Sequence, residues 1–174
     1  MQRIGNDGRR RLILCSLVVL ILALTIVLDL ITKSYFAKLN AEKKLDIIVI
    51  EGFFYFTFTE NTGAAFSFLY NVSWGQLFFK ILTSVSLVLF FALLIYYIFF
   101  KKKYIVAPIS LALIIGGTIG NFVDRLAFNK VRDFIGFTFG NYNFPIFNLA
   151  DTFLVQTSQV RFLIVALIQQ NFKS

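Results

Sequence analysis

The chain has no histidine, a single cysteine (Cys15) and few charges, which make up 15% of its 174 residues. The absence of histidine removes Ser-His and Cys-His triads, histidine-based zinc sites and imidazole acid–base chemistry together. One cysteine excludes an internal disulfide and any multi-cysteine metal cluster. A soluble domain of this size carries about 25% charged residues, so the polar groups here are too few to cover a water-facing surface. Any chemistry falls to Asp, Glu, Lys, Ser, Thr or Tyr.

What the chain has instead is apolar residues in blocks: 58% of the total, with 23 phenylalanines. Leu12 to Leu28 is an uncharged run of 17 residues, and Ile81–Phe100 and Tyr104–Val123 are runs of 20 each. Each suits the ~20 helical residues that cross ~30 Å of hydrocarbon. A fourth apolar stretch begins near Phe144 and is interrupted by Asp151 and by Gln156-Thr-Ser-Gln-Val-Arg161. The spans are predicted at about 12–32, 75–100, 104–123 and 145–168, in one domain over 1–174. The first run ends at Asp29-Leu-Ile-Thr-Lys33 without a small-x-small cleavage site, so it reads as a span and not a secretory signal.

The net charge of +8 does not indicate nucleic acid. Arg9, Arg10 and Arg11 precede the first run, and Lys101, Lys102 and Lys103 separate the second from the third. That is the positive-inside pattern of membrane proteins. It puts both termini in the cytoplasm and segments 34–73 and 124–146 outside. In the first segment, Ile47–Ile50 and Phe53–Thr59 read as strands, the second with alternating phenylalanines. In the second, Gly140-Asn141 reads as a turn between short strands. The expected fold is an all-α membrane protein of four spans with a small extracytoplasmic β-sheet.

Ionisable groups in or beside membrane spans are functional candidates. Asp29, Asp124, Asp133 (in the loop after the third span) and Asp151 all fall at the outer ends of their helices. Asn121, Asp124 and Arg125 lie within one helical turn, and Asn148 and Asp151 share a face at i, i+3. Asp124-Arg125 also reads as an ion pair fixing a helix end, and Gly116, Gly117 and Gly120 as a close helix–helix contact. Two nearby aspartates cannot both ionise easily, so one keeps a proton while the other activates water for amide hydrolysis. Residue types and spacing fit equally a proton- or cation-coupled transporter using the same carboxylates. A Ser-Lys pair built from Ser67 or Ser73 with Lys80 is a weaker reading, since a lysine at a span boundary ordinarily snorkels.

At these residues the sequence resembles the lipoprotein signal peptidases (signal peptidase II) of bacteria. The ordered motifs are Asp29-Leu-Ile-Thr-Lys33, Asn61-Thr-Gly-Ala-Ala-Phe66, Gly116-Gly-Thr-Ile-Gly-Asn121-Phe-Val-Asp124-Arg125, Val131-Arg-Asp133-Phe134 and Phe147-Asn-Leu-Ala-Asp151. The resemblance implies an aspartic endopeptidase of the cytoplasmic (inner) membrane. It would remove signal peptides from prolipoproteins, cutting before a diacylglyceryl-modified cysteine at the outer face. It implies Asp133 and Asp151 as the catalytic pair, and Asn61, Gly63, Asn121, Asp124, Arg125 and Asn148 as residues that line or brace the groove. Asp29 and Lys33 would be structural. No metal or organic cofactor is implied; prolipoproteins and membrane lipid are the expected partners, and a monomer the expected unit.

Overall fold

The computed structural model describes residues 2–63, 74–101 and 104–156. Among the described residues three helices are long and apolar enough to cross a membrane: α1 (Gln2–Ala41), α2 (Gly75–Phe100) and α3 (Val106–Phe128). Four strands, β1 (Ile47–Ile50), β2 (Phe54–Asn61), β3 (Val131–Phe139) and β4 (Tyr142–Asn143), form one antiparallel sheet in that order. Residues 149–156 are helical. The fourth span expected over 145–168 thus lies partly outside the described residues, and Arg161 wholly so.

The helices meet through Val18 of α1, Leu94 and Ile98 of α2, and Leu111, Ala112 and Ile115 of α3. Their other faces stay apolar and uncovered, as at Leu12, Leu20, Val88 and Leu89. In water such a surface would drive association; against lipid it costs nothing.

The glycine spacing on α3 is a packing device, as its pattern suggested. A Cβ at Gly116 would lie 2.7 Å from Thr25 Cβ of α1, and one at Gly117 would lie 2.6 Å from the Ala150 carbonyl oxygen. A Cβ at Gly120 would strike the Asp29 carboxylate. The three glycines therefore let α3 touch α1 on one side and the 149–156 helix on the other.

Two boundaries differ from expectation. The helix α1 runs to Ala41, about 60 Å at 1.5 Å per residue and twice the hydrocarbon thickness. Residues 34–41 contain no Gly or Pro to stop it, and Phe36 there is buried under the sheet, stacked on Phe134 (ring centroids 4.3 Å apart) and against Phe56 (4.8 Å). Likewise α3 continues to Phe128 and ends at Asn129, whose left-handed φ of 56° turns the chain directly into β3. Asp133 consequently sits on a strand, not in a loop. It pairs across from Thr59, beside a register shift between Phe56 and Thr59. The expected Gly140-Asn141 turn is present between β3 and β4, with Gly140 at φ 61°.

Gly117→Ala should destabilise the fold by about 1–3 kcal/mol, because the obstructing atom is backbone and cannot rotate away. Thermal unfolding of the protein in detergent reads this; an unchanged midpoint would contradict the close approach.

Candidate active site

The site is built upward from a buried ion cluster. Asp29 and Lys33 lie one turn apart on α1, the i, i+4 spacing that puts side chains face to face. Lys33 Nζ is 2.7 Å from Asp29 Oδ2, donates to Asn121 Oδ1 at 2.9 Å, and lies 3.6 Å from Asp124 Oδ2. Asp29, Lys33 and Asp124 are all inaccessible to solvent. Asp29 Oδ1 also accepts the Ala150 backbone N–H at 2.9 Å. A carboxylate there satisfies a donor that the start of the 149–156 helix would otherwise leave orphaned.

Asn148 caps that same helix. Its Oδ1 accepts the Asp151 N–H at 3.0 Å, while Asp151 Oδ2 accepts the Asn148 N–H at 3.2 Å. This is a reciprocal capping box, with Asn and Asp in place of the commoner Ser/Thr and Glu. The Asn148 amide is then free to face inward. Its Nδ2 donates to Asp133 Oδ1 at 2.7 Å and to Asn121 Oδ1 at 3.0 Å. Asn121 Nδ2 donates to Asp151 Oδ1 at 2.9 Å. From β2, Asn61 Nδ2 donates to Asp133 Oδ2 at 3.1 Å and Asn61 Oδ1 accepts the Gly63 N–H at 2.9 Å.

The two carboxylates that the resemblance pairs, Asp133 and Asp151, therefore both bond to one residue, Asn148. Asp133 is only 2% exposed. Burial pushes its carboxyl up to about 7, and the neighbouring Asp151 charge adds to the rise; the Asn61 and Asn148 amides and the more distant Lys33 pull the other way. An acid with that affinity for protons holds one through the mildly acidic range and up to about neutral pH.

Arg125 donates from Nη2 to the Gly63 carbonyl at 3.0 Å and lies over the Phe79 ring, 5.0 Å from its centroid. Its charge acts on Asp151, Asp133 and Asp124. The Asp124–Arg125 ion pair suggested by sequence is not made, because consecutive helical residues point in different directions. Asp124 instead takes Arg132: Nη2 reaches Oδ1 at 2.6 Å, Nε reaches it at 3.1 Å, and the Arg132 backbone N–H donates to Oδ2 at 3.0 Å.

The structure thus brings together Asp29, Lys33, Asn61, Gly63, Asn121, Asp124, Arg125, Asp133, Asn148 and Asp151. Residues 64–66 of the Asn61–Phe66 motif lie outside the described residues, as do Ser67 and Ser73. Lys80, their suggested partner, is occupied at 2.7 Å by Asn129 Oδ1. Sequence reading missed Arg132 and the Ala150 N–H. The signal for Arg132 was a surplus of nearby acids over assigned bases; a backbone donor leaves no such mark. Among the described residues no group of three or more Cys, Asp or Glu is arranged to hold a metal ion.

These features gather carboxylates, amides and cations where α1, α3 and the 149–156 helix meet the sheet, and comparison with known proteins supplies the class: a membrane peptidase. The family model for signal peptidase (SPase) II matches residues 21–168. The lipoprotein signal peptidase of Listeria welshimeri is 42% identical over 135 residues, covering 78% of this chain and 83% of that protein. That of Clostridium tetani is 39% identical over 155 residues, covering 88% and 93%. A solved bacterial membrane enzyme superposes with a TM-score of 0.70 at 30% identity, covering 86% of this chain and 91% of that one. The chain belongs to the signal peptidase II family, and is a multi-pass bacterial membrane protein. The comparisons lend no support to a transporter.

The raised affinity of Asp133 has a stability consequence. Between the ordinary 3.8 and about 7 the folded state keeps a proton that the unfolded chain has released, so stability falls as pH rises through that window. Asp133→Asn cannot ionise. It should raise the unfolding midpoint relative to the unchanged protein at about pH 8 and lose that advantage towards about pH 4. Parallel midpoint-against-pH curves would contradict the assignment.

Proposed function

We propose that the protein is an aspartic endopeptidase that removes signal peptides from diacylglyceryl-modified prolipoproteins, cutting before the lipidated cysteine, with Asp133 and Asp151 as the catalytic pair. The observation that carries the reading is the shared asparagine. A single residue, Asn148, bonds both carboxyl groups, Asp133 through its side-chain amide and Asp151 through its backbone N–H, and the proton affinity of Asp133 is raised by burial and by the Asp151 charge.

The chemistry follows from one proton between two acids. The ionised carboxylate accepts a proton from water as the water oxygen adds to the scissile carbonyl carbon. The protonated carboxyl gives its proton to the carbonyl oxygen, so the tetrahedral intermediate is neutral. On collapse the C–N bond breaks. The amine leaves with the proton taken from water, the hydroxyl proton returns, and the pair is restored. Asn61, Asn121 and Asn148 hold the carboxyl groups in place; their amides favour whichever oxygen is charged. Arg125 and Gly63 line the groove, and Asp29 and Lys33 brace it from beneath.

The setting suits a lipid-anchored substrate. The carboxylates gather where α1, α3 and the 149–156 helix meet the sheet, at the ends of the helices away from Arg9–Arg11. With both termini cytoplasmic and a fourth span over 145–168, that level is the extracytoplasmic boundary of the inner membrane. A diacylated cysteine keeps its chains in the bilayer there while the peptide enters sideways between helices. The protein works as one membrane domain and as a monomer.

Asp133→Asn and Asp151→Asn should each lower cleavage of a diacylated prolipoprotein by roughly a thousandfold or more, with accumulation in the membrane retained. The mass shift of the substrate after incubation with purified protein reads it. Turnover surviving in either variant would remove that residue from the pair, and flux of ions without a peptide product would point to the transporter instead.

A further inference from the structure

Around the aspartate pair the clustered charges, buried at Asp29, Lys33, Asp124 and Asp133 and half-buried at Arg125, Arg132 and Asp151, nearly cancel. Four carboxylates, Asp29, Asp124, Asp133 and Asp151, face three cations, Lys33, Arg125 and Arg132. The excess is one negative charge, which a single proton on the pair removes. The other charges nearby are already matched or exposed: Glu60 of β2 with Lys130 at 2.6 Å, and Lys80 of α2, which bonds to Asn129.

Within this set the two cations facing Asp124 divide their work. Lys33 lies closest to Asp29 and Asn121, at 2.7 and 2.9 Å, and stands back from Asp124 at 3.6 Å. Arg132 covers Asp124 with its guanidinium and its own N–H, and lies over the Phe128 ring, 4.7 Å from its centroid. Its side chain is only 11% exposed, so its charge is poorly screened by water. Arg132 immediately precedes Asp133 on β3, yet strand alternation sends the two side chains to opposite faces. Its guanidinium is held on Asp124, on the face of β3 away from the Asp133 side chain.

We propose that Arg132 is a positioning residue that sets the pH range of cleavage by cancelling the charge of Asp124 beside the aspartate pair. The inference rests on the aspartic reading above. Without the guanidinium the set carries two excess negative charges, and the pair holds its protons to higher pH. Without the Asp124 carboxylate the excess vanishes, and the pair releases them at lower pH. A purely structural role for Arg132 would reduce the amount of folded enzyme and leave the pH limits where they are.

The test is the pH profile of prolipoprotein cleavage by the full-length protein in detergent. In Arg132→Gln both limits should move up by roughly half to one pH unit, the scale of a unit charge lost from a partly buried ion cluster. Arg132→Lys, which keeps the charge without the fork, should hold the original limits. Asp124→Asn should move them down, and the Asp124→Asn/Arg132→Gln pair should return them. The variants differ in sign, so whichever accumulates decides the matter. Unmoved limits in Arg132→Gln or in Asp124→Asn would overturn the proposal. If they stay unmoved while Asp133→Asn is inactive, only this inference fails; if Asp133→Asn still cleaves, the aspartic reading fails first.

Discussion

A single ammonium group, Lys33 Nζ, holds the site together. A buried cation loses several kcal/mol of hydration and is tolerated only with good partners. Lys33 has them on two elements: Asp29 one turn back on α1, and Asn121 and Asp124 on α3. Satisfying it draws α3 against α1, which is why a Cβ at Gly120 would meet Asp29. Through Asn121 the same contact reaches Asp151, and through Asp29 it reaches the Ala150 N–H. The start of the 149–156 helix is thereby held by an acid of α1 and an amide of α3.

The sheet supplies the remaining half. Phe36, in the last turns of α1, stacks on Phe134 and packs at a tilt against Phe56. That stacking seats β2 and β3 over the helix ends, so Asn61 and Asp133 arrive together above Asn148. Asn148 has two jobs that require the same residue type. Its oxygen and backbone cap a helix, and its amide nitrogen holds a carboxyl group from a strand. Asparagine, with a donor and an acceptor on one short side chain, can do both; aspartate in its place would add a charge to a set that already carries an excess of acid.

Much of this was legible in the chain itself, for physical reasons. Uncharged runs of about 20 residues have few fates other than membrane helices, and three of them appear as α1, α2 and α3. The alternating phenylalanines of β2 and the Gly140-Asn141 turn followed from strand periodicity and turn chemistry. Carboxylates at the same level on separate helices pointed to one site. The partnerships were harder to read. Arg132 is beside Asp133 in sequence but belongs to Asp124, because strand alternation turns it away. Asp133 read as a loop residue because the left-handed turn at Asn129 gives little warning that a strand starts two residues later. The last turns of α1 look like ordinary loop until the sheet that covers Phe36 is present.

The buried and half-buried charges of this site balance only with one proton on the Asp133–Asp151 pair. The most direct measurement is the infrared carboxyl stretch of the folded protein at about pH 5.5, below the Asp133 value of about 7, in heavy water, with Asp133→Asn and Asp151→Asn for assignment. The account requires one protonated buried carboxyl, absent from the Asp133→Asn spectrum. No such band, or one that survives removal of both aspartates, would contradict it.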